Sequence, residues 1–225
     1  MVRESYRQQL EGLLESVSGM GQQVVEGLNM GLRAIRDHDQ QLAESLDDWD
    51  DNVDRLALEI EKKCTDLLAL QQPVAVDLRF IISAFKIVTD LERTADLAVN
   101  LGEYSVVSEA FILVPKEQLL QLGQFASEML NDGLEAFRTR DLAKAKQVIA
   151  RDHVMDQRCW DLRTEVLTQI IQRARHANTS EQAKKIADNT ITVLWSIRDL
   201  ERVGDHAVNI CARTIYWLIA NPEYI

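Results

Sequence analysis

A chain of 225 residues with 46% hydrophobic and 27% charged side chains, nine glycines and three prolines is a folded, helix-leaning chain, large enough for one domain or two of about 100 residues. A net charge of −11, from 36 acidic and 25 basic residues, argues against nucleic-acid binding, which needs a positive stripe to displace counterions. No apolar run reaches the length of a membrane span, the N-terminal stretch is too polar for a secretory signal, and Cys64, Cys159 and Cys211 lack CxxC spacing; buried free thiols in a reducing cytoplasm are expected.

Apolar residues recur at three- and four-residue spacing between sparse breaks, and no stretch alternates as a strand would. The spacing predicts six helices, at 3–37, 39–71, 75–104, 115–138, 141–176 and 180–219. Asp37 to Asp39 and Arg138 to Asp141 read as tight helix–helix turns, and Gln71-Gln72-Pro73, the stretch from Gly102 to Pro115 and His176 to Ser180 as the other breaks. In the second helix Trp49, Val53, Leu56, Ile60, Leu67 and Leu70 share a stripe; in the third Leu78, Ile81, Phe85, Val88, Ala95 and Val99 do. Pro115 suits the first turn of the fourth helix. All four tryptophans, Trp49, Trp160, Trp195 and Trp217, sit at helical spacing and are expected in the core.

The chain also repeats itself. Asp90 to Asn100 reads DLERTADLAVN and Asp199 to Asn209 reads DLERVGDHAVN, so eight of eleven positions match at an offset of 109. Asp50-Asp51-Asn52-Val53-Asp54 aligns more faintly with Asp152-His153-Val154-Met155-Asp156 at an offset of 102. The expected fold is therefore all-α: two tandem antiparallel three-helix bundles, residues 1–108 and 109–225, with seven extra residues inserted around His176 to Gln182.

Each unit carries two acid-x-x-x-Asp pairs: Asp50/Asp54 and Glu92/Asp96 in the first, Asp152/Asp156 and Glu201/Asp205 in the second. Carboxylates four apart share a helix face and repel by roughly 0.2–0.5 kcal/mol. Each pair continues an apolar line, from Leu46, Val88, Val148 and Ile197 respectively, so burial should raise that cost unless protons, bases or cations offset it. If the second and third helices of a unit pack together, four acids converge into a set of hard oxygen ligands suited to magnesium, manganese, calcium or iron. Asn100 and Asn209 extend two of these lines, and Arg93 and Arg202 stand close enough to neutralise neighbouring acids. A salt-bridge network holding the helices in register is the alternative, and a purely structural bundle follows from it. His153 and His206 flank second-unit acids but have no first-unit counterparts, so histidine is not a shared ligand. A carboxylate-bridged oxidase would need Glu-x-x-His motifs, which none of His38, His153, His176 and His206 provides. No nucleophile–base arrangement or phosphate loop appears either, and an enzyme is not expected.

Gln71-Gln72-Pro73-Val74-Ala75, Asp77-Leu78-Arg79, Lys86-Ile87 and Asp90-Leu91-Glu92-Arg93 closely resemble the signature of the PhoU family, phosphate-signalling accessory proteins of bacteria and archaea. The resemblance covers nearly the whole chain, and the family's acid-x-x-x-Asp motifs match all four pairs. Two departures stand out: Thr94-Ala95-Asp96 replaces the usual Ile-Gly-Asp, and the second unit has His176-Ala177-Asn178 where a Gln-Gln-Pro would fall. What the resemblance implies is metal binding at the acid pairs (iron, zinc, manganese or magnesium). It also implies a cytoplasmic role as a negative regulator between a phosphate ABC transporter ATPase and a sensor histidine kinase, or beside a sodium–phosphate cotransporter. The protein would then meet the membrane only through partners, and self-association as a homodimer belongs to the same expectation.

Overall fold

Long apolar-striped segments bounded by turn residues become seven helices in the computed structural model, which describes residues 2–106, 116–174 and 179–221. They are α1 (Val2–Asp37), α2 (Gln40–Gln71), α3 (Ala75–Val106), α4 (Lys116–Thr139), α5 (Leu142–Ile149), α6 (Asp152–Ala174) and α7 (Ser180–Ile219). Among the described residues there is no strand, and no helix is long and apolar enough to cross a membrane. The expectations for Pro115, for His176-Ala177-Asn178 and for a boundary at 108/109 lie outside the described residues.

One predicted helix is wrong. The segment 141–176 breaks at Ala150-Arg151, where the Arg151 amide bonds Val148 O at 2.9 Å and tightens the turn. Neither residue is a helix breaker. The tie is tertiary: Arg151 pairs with Asp132 on α4 at 2.7 Å and lies over the Phe125 ring, 4.8 Å from its centroid. The position 102 earlier holds Trp49, whose indole occupies the space beside Gly27, so the first unit's middle helix runs on unbroken.

The turns repeat with the helices. His38 (φ 54°) and Arg140 (φ 59°) both adopt the left-handed conformation at a helix end. Each is followed by an aspartate N-cap: Asp39 accepts from the Leu42 amide and Asp141 from the Lys144 amide, both at 3.0 Å. The units meet along α1 and α4 and along α3 and α7. At the first contact Gly21 makes room for Leu134, while Gly123, 102 positions on, makes room for Leu32. Such reciprocal contacts are the mark of a local two-fold relation between the units.

The buried side chains form one cluster running through both units. Phe80 of α3, Phe137 of α4 and Trp217 of α7 join it across the contact, with Trp217 centred 4.6 Å from Phe80 and 5.6 Å from Phe137. Cys64, Cys159 and Cys211 are buried free thiols, and burial pushes each up to about 12. Two expectations about the core fail. Trp160 and Trp195 are 67% and 54% exposed, and Trp49 is only partly buried, which leaves Trp217 as the core tryptophan. Leu70, Leu78 and Phe85 lie on the exposed edge of their stripes, because long helices in a two-layer contact bury a narrower face than their apolar spacing offers.

Candidate metal-binding faces

The acid pairs stand where an i+4 line leaves the core. Four residues turn a helix by a little more than one revolution, so each step drifts about 40°. From buried Leu46, Val88, Val148 and Ile197 the lines therefore climb towards solvent. All four pairs show the same result: Asp50, Glu92, Asp152 and Glu201 are half-buried, while Asp54, Asp96, Asp156 and Asp205 are exposed.

Packing of α2 on α3 brings the first unit's acids face to face. Burial, then the charges of Asp54 and Asp96, push the Asp50 carboxyl up to about 6. Glu92 is raised by burial and by Asp54, Asp96 and Glu61, and Asp96 by burial and Asp54 against the pull of Arg202 and Arg93. Two depressions mark this face. A recess of 340 Å³ is lined by Asp50, Asp96, Asn100, Arg93 and Arg202 among others. A crevice of 160 Å³ is lined by Asp54, Ala57, Leu58, Glu61 and Glu92.

Packing of α6 on α7 does the same in the second unit. Burial, then Asp156, Asp205 and Glu201, raise Asp152 against His153; burial, then Glu201 and Asp156, raise Asp205 against His206 and Arg202. Here Glu201 also receives the Arg163 guanidinium as a two-pronged pair, Nη1 to Oε1 at 3.2 Å and Nη2 to Oε2.

The asparagines reach across the units. Asn100 Nδ2 donates to Asp199 Oδ2 at 3.2 Å and Asn209 Nδ2 to Asp90 Oδ1 at 3.1 Å. Tyr104 adds its hydroxyl to Asp199 at 2.9 Å, and His206 Nδ1 lies 2.9 Å from Asp90 Oδ1. Asp90 and Asp199, read in the sequence as repeated acids within reach of Arg93 and Arg202, are thus buried anchors between α3 and α7.

Among the described residues no three His, Cys, Asp or Glu side chains close around a single point as a finished ligand cage. The donor set nevertheless fits a hard cation. Asp50 Oδ1 and Asp152 Oδ1 are buried without a hydrogen-bond partner, one in each unit at equivalent positions. Facing carboxylates with raised proton affinity and an orphaned oxygen are groups that a cation satisfies, once the exposed Asp54, Asp96, Asp156 and Asp205 side chains turn inward. Sequence reasoning missed Glu61 and Arg163; carrying the 102-residue register two more turns along the middle helices pairs them with each other.

The PhoU domain matches residues 17–105 and, a second time, 119–214. The chain belongs to the PhoU family. It is 32% identical over 216 residues to the phosphate-specific transport system accessory protein PhoU homolog of Streptococcus pneumoniae, covering 96% of this chain and 95% of that one. The homolog of the same name from Caulobacter vibrioides is 33% identical, covering 98% and 92%. Two crystal structures of family members superpose along nearly their full length. PhoU from Pseudomonas aeruginosa gives a TM-score of 0.84 at 27% identity over 96% of this chain and 100% of that one. The phosphate transport system regulatory protein PhoU from Streptococcus pneumoniae gives 0.83 at 30% identity, covering 96% and 98%. The PhoU relatives carry accessory and regulatory names.

Proposed function

We propose that this chain regulates phosphate uptake and the phosphate-starvation response. It acts in the cytoplasm as a metal-binding adaptor between a phosphate ABC transporter ATPase and a sensor histidine kinase, and restrains both when phosphate is plentiful. Membership of a family whose members are named transport accessory proteins supports the phosphate role. The observation that carries the adaptor reading is the orphaned oxygen pair, Asp50 Oδ1 and Asp152 Oδ1, at the centre of two acidic faces.

Asp50, Asp54, Glu92 and Asp96 would hold a divalent or trivalent cation in the first unit; Asp152, Asp156, Glu201 and Asp205 are the corresponding carboxylates of the second. When bound, the ion supplies positive charge that offsets the carboxylates and offers open positions to a partner's acids or phosphates. The protein's own part is to hold the donors on stiff helices, with Arg93 and Arg202 beside the recess limiting how much negative charge gathers there.

Affinity capture from the host in high and low phosphate, with and without a chelator, tests this. Enrichment of the transporter ATPase or the sensor kinase in high phosphate, lost with chelator, is the expected result. Recovery of neither by the folded protein rules the adaptor out.

A further inference from the structure

We propose that the two acidic faces are unequal: the first binds the metal ion, while in the second Arg163 takes the cation's place as a tethered charge on Glu201. This rests on the metal-binding reading above and adds which unit does the binding and which residue decides it.

The register is secure. Both α2 and α6 are unbroken over the stretches compared, and at the 102-residue offset Val53/Met155, Ala57/Cys159 and Ile60/Leu162 are all buried pairs. Glu61 and Arg163 therefore hold the same place on their helices, seven residues after Asp54 and Asp156. In the first unit Glu61 opens onto the crevice shared with Asp54 and Glu92. Five carboxylates line the two depressions of this face, Asp50 and Asp96 the recess and Asp54, Glu61 and Glu92 the crevice, and Arg93 and Arg202 line the recess but not the crevice.

In the second unit the same place carries the opposite charge. Arg163 grips Glu201, the counterpart of Glu92, through two parallel N–H to oxygen contacts, with the side chains only 28% and 25% exposed. A guanidinium fork matches a carboxylate in both charge and geometry, and a metal ion entering there must first displace it. Asp152 is also placed differently. It starts α6, where the helix's positive end favours a carboxylate, whereas Asp50 lies beyond the first turns of α2. The break at Ala150-Arg151 thus supplies part of what a cation would supply. Replacing Glu61 by an arginine changes the local charge by two, and that difference selects the first face.

Metal-stripped, full-length protein titrated with Mn²⁺, with free ion followed by electron paramagnetic resonance, tests the assignment. Wild type should show tight binding that Asp156→Asn leaves in place and that Glu61→Arg or the milder Glu61→Gln weakens on the order of tenfold or more, the effect typical of losing a group that supports a metal site. Arg163→Glu should add a second set of tight sites. Far-UV circular dichroism checks that each variant is folded. Equal occupancy of both units in wild type, loss of tight binding in Asp156→Asn, or no gain in Arg163→Glu overturns the inequality while leaving metal binding intact. Absence of tight binding in wild type and every variant removes the metal reading itself, and this inference with it.

Discussion

Asn100 on α3 donates to Asp199 on α7, and Asn209 on α7 donates to Asp90 on α3, so the two copies of the repeated motif clasp one another. Buried acceptors with charge make strong bonds, and removing one strands its donors. Asp199→Ala should destabilise the protein by about 2–3 kcal/mol in urea unfolding, because it leaves both Asn100 and Tyr104 without an acceptor. A double-mutant cycle of Asn100→Ala with Asp199→Ala should show coupling of about 1 kcal/mol or more, and Asn100→Ala with Asp90→Ala much less. Equal coupling in both cycles rules out the clasp.

Gly31 and Gly133 are equivalent small residues at close helix crossings, but not equally tight. An added Cβ at Gly31 would lie 2.8 Å from the backbone oxygen of Ala98, which has no freedom to retreat, whereas at Gly133 the nearest atoms, Ala207 O and Cys211 Sγ, are 3.2 Å away. Gly31→Ala should cost about 1–3 kcal/mol and Gly133→Ala less, while Gly12→Ala and Gly19→Ala, with open space beside them, should gain roughly 0.5–1 kcal/mol. Denaturant midpoints check the order.

The metal-free protein should gain stability from Asp50 on acidification. Its carboxyl rises from 3.8 to about 6 on folding, so between those values the folded chain holds a proton that the unfolded chain has lost. The contribution is fully present below 3.8 and is lost as pH rises through about 6. Glu92, Asp96, Asp152 and Asp205 shift in the same direction. Asp50→Asn should therefore stabilise the metal-free protein at about pH 7 and make little difference at about pH 4. A gain independent of pH would contradict the assignment.

Tryptophan substitutions should separate sharply. Trp217 is 5% exposed and packs on Phe80 and Phe137, so Trp217→Ala should cost about 3–5 kcal/mol. Trp160→Ala and Trp195→Ala, at 67% and 54% exposure, should stay within about 0.5 kcal/mol. Acrylamide should quench the emission of Trp160 and Trp195 and leave that of Trp217, observed in a variant in which it is the sole tryptophan, largely untouched.

What could be read from the residues alone was whatever depends on neighbours in sequence. Apolar spacing located the helices, short polar breaks marked the tight turns at Asp37 to Asp39 and Arg138 to Asp141, and the two copies of the motif announced a duplicated bundle. The acid pairs were legible for the same reason: i and i+4 share a face whatever surrounds the helix. Periodicity is silent about which neighbour a face meets. It cannot tell the exposed edge of a stripe, where Trp160 and Trp195 lie, from its buried centre. Nor does it show that Arg151 is drawn out to Asp132 and breaks a helix that local propensity would continue. The cross-unit bonds of Asp90 and Asp199, and the contrast between Glu61 in its acidic crevice and Arg163 on Glu201, were decided by packing of α3 on α7, α2 on α3 and α6 on α7. Charge interactions act through space and fall off with distance, so partners far apart in the chain acquire their meaning only once the helices have brought them together.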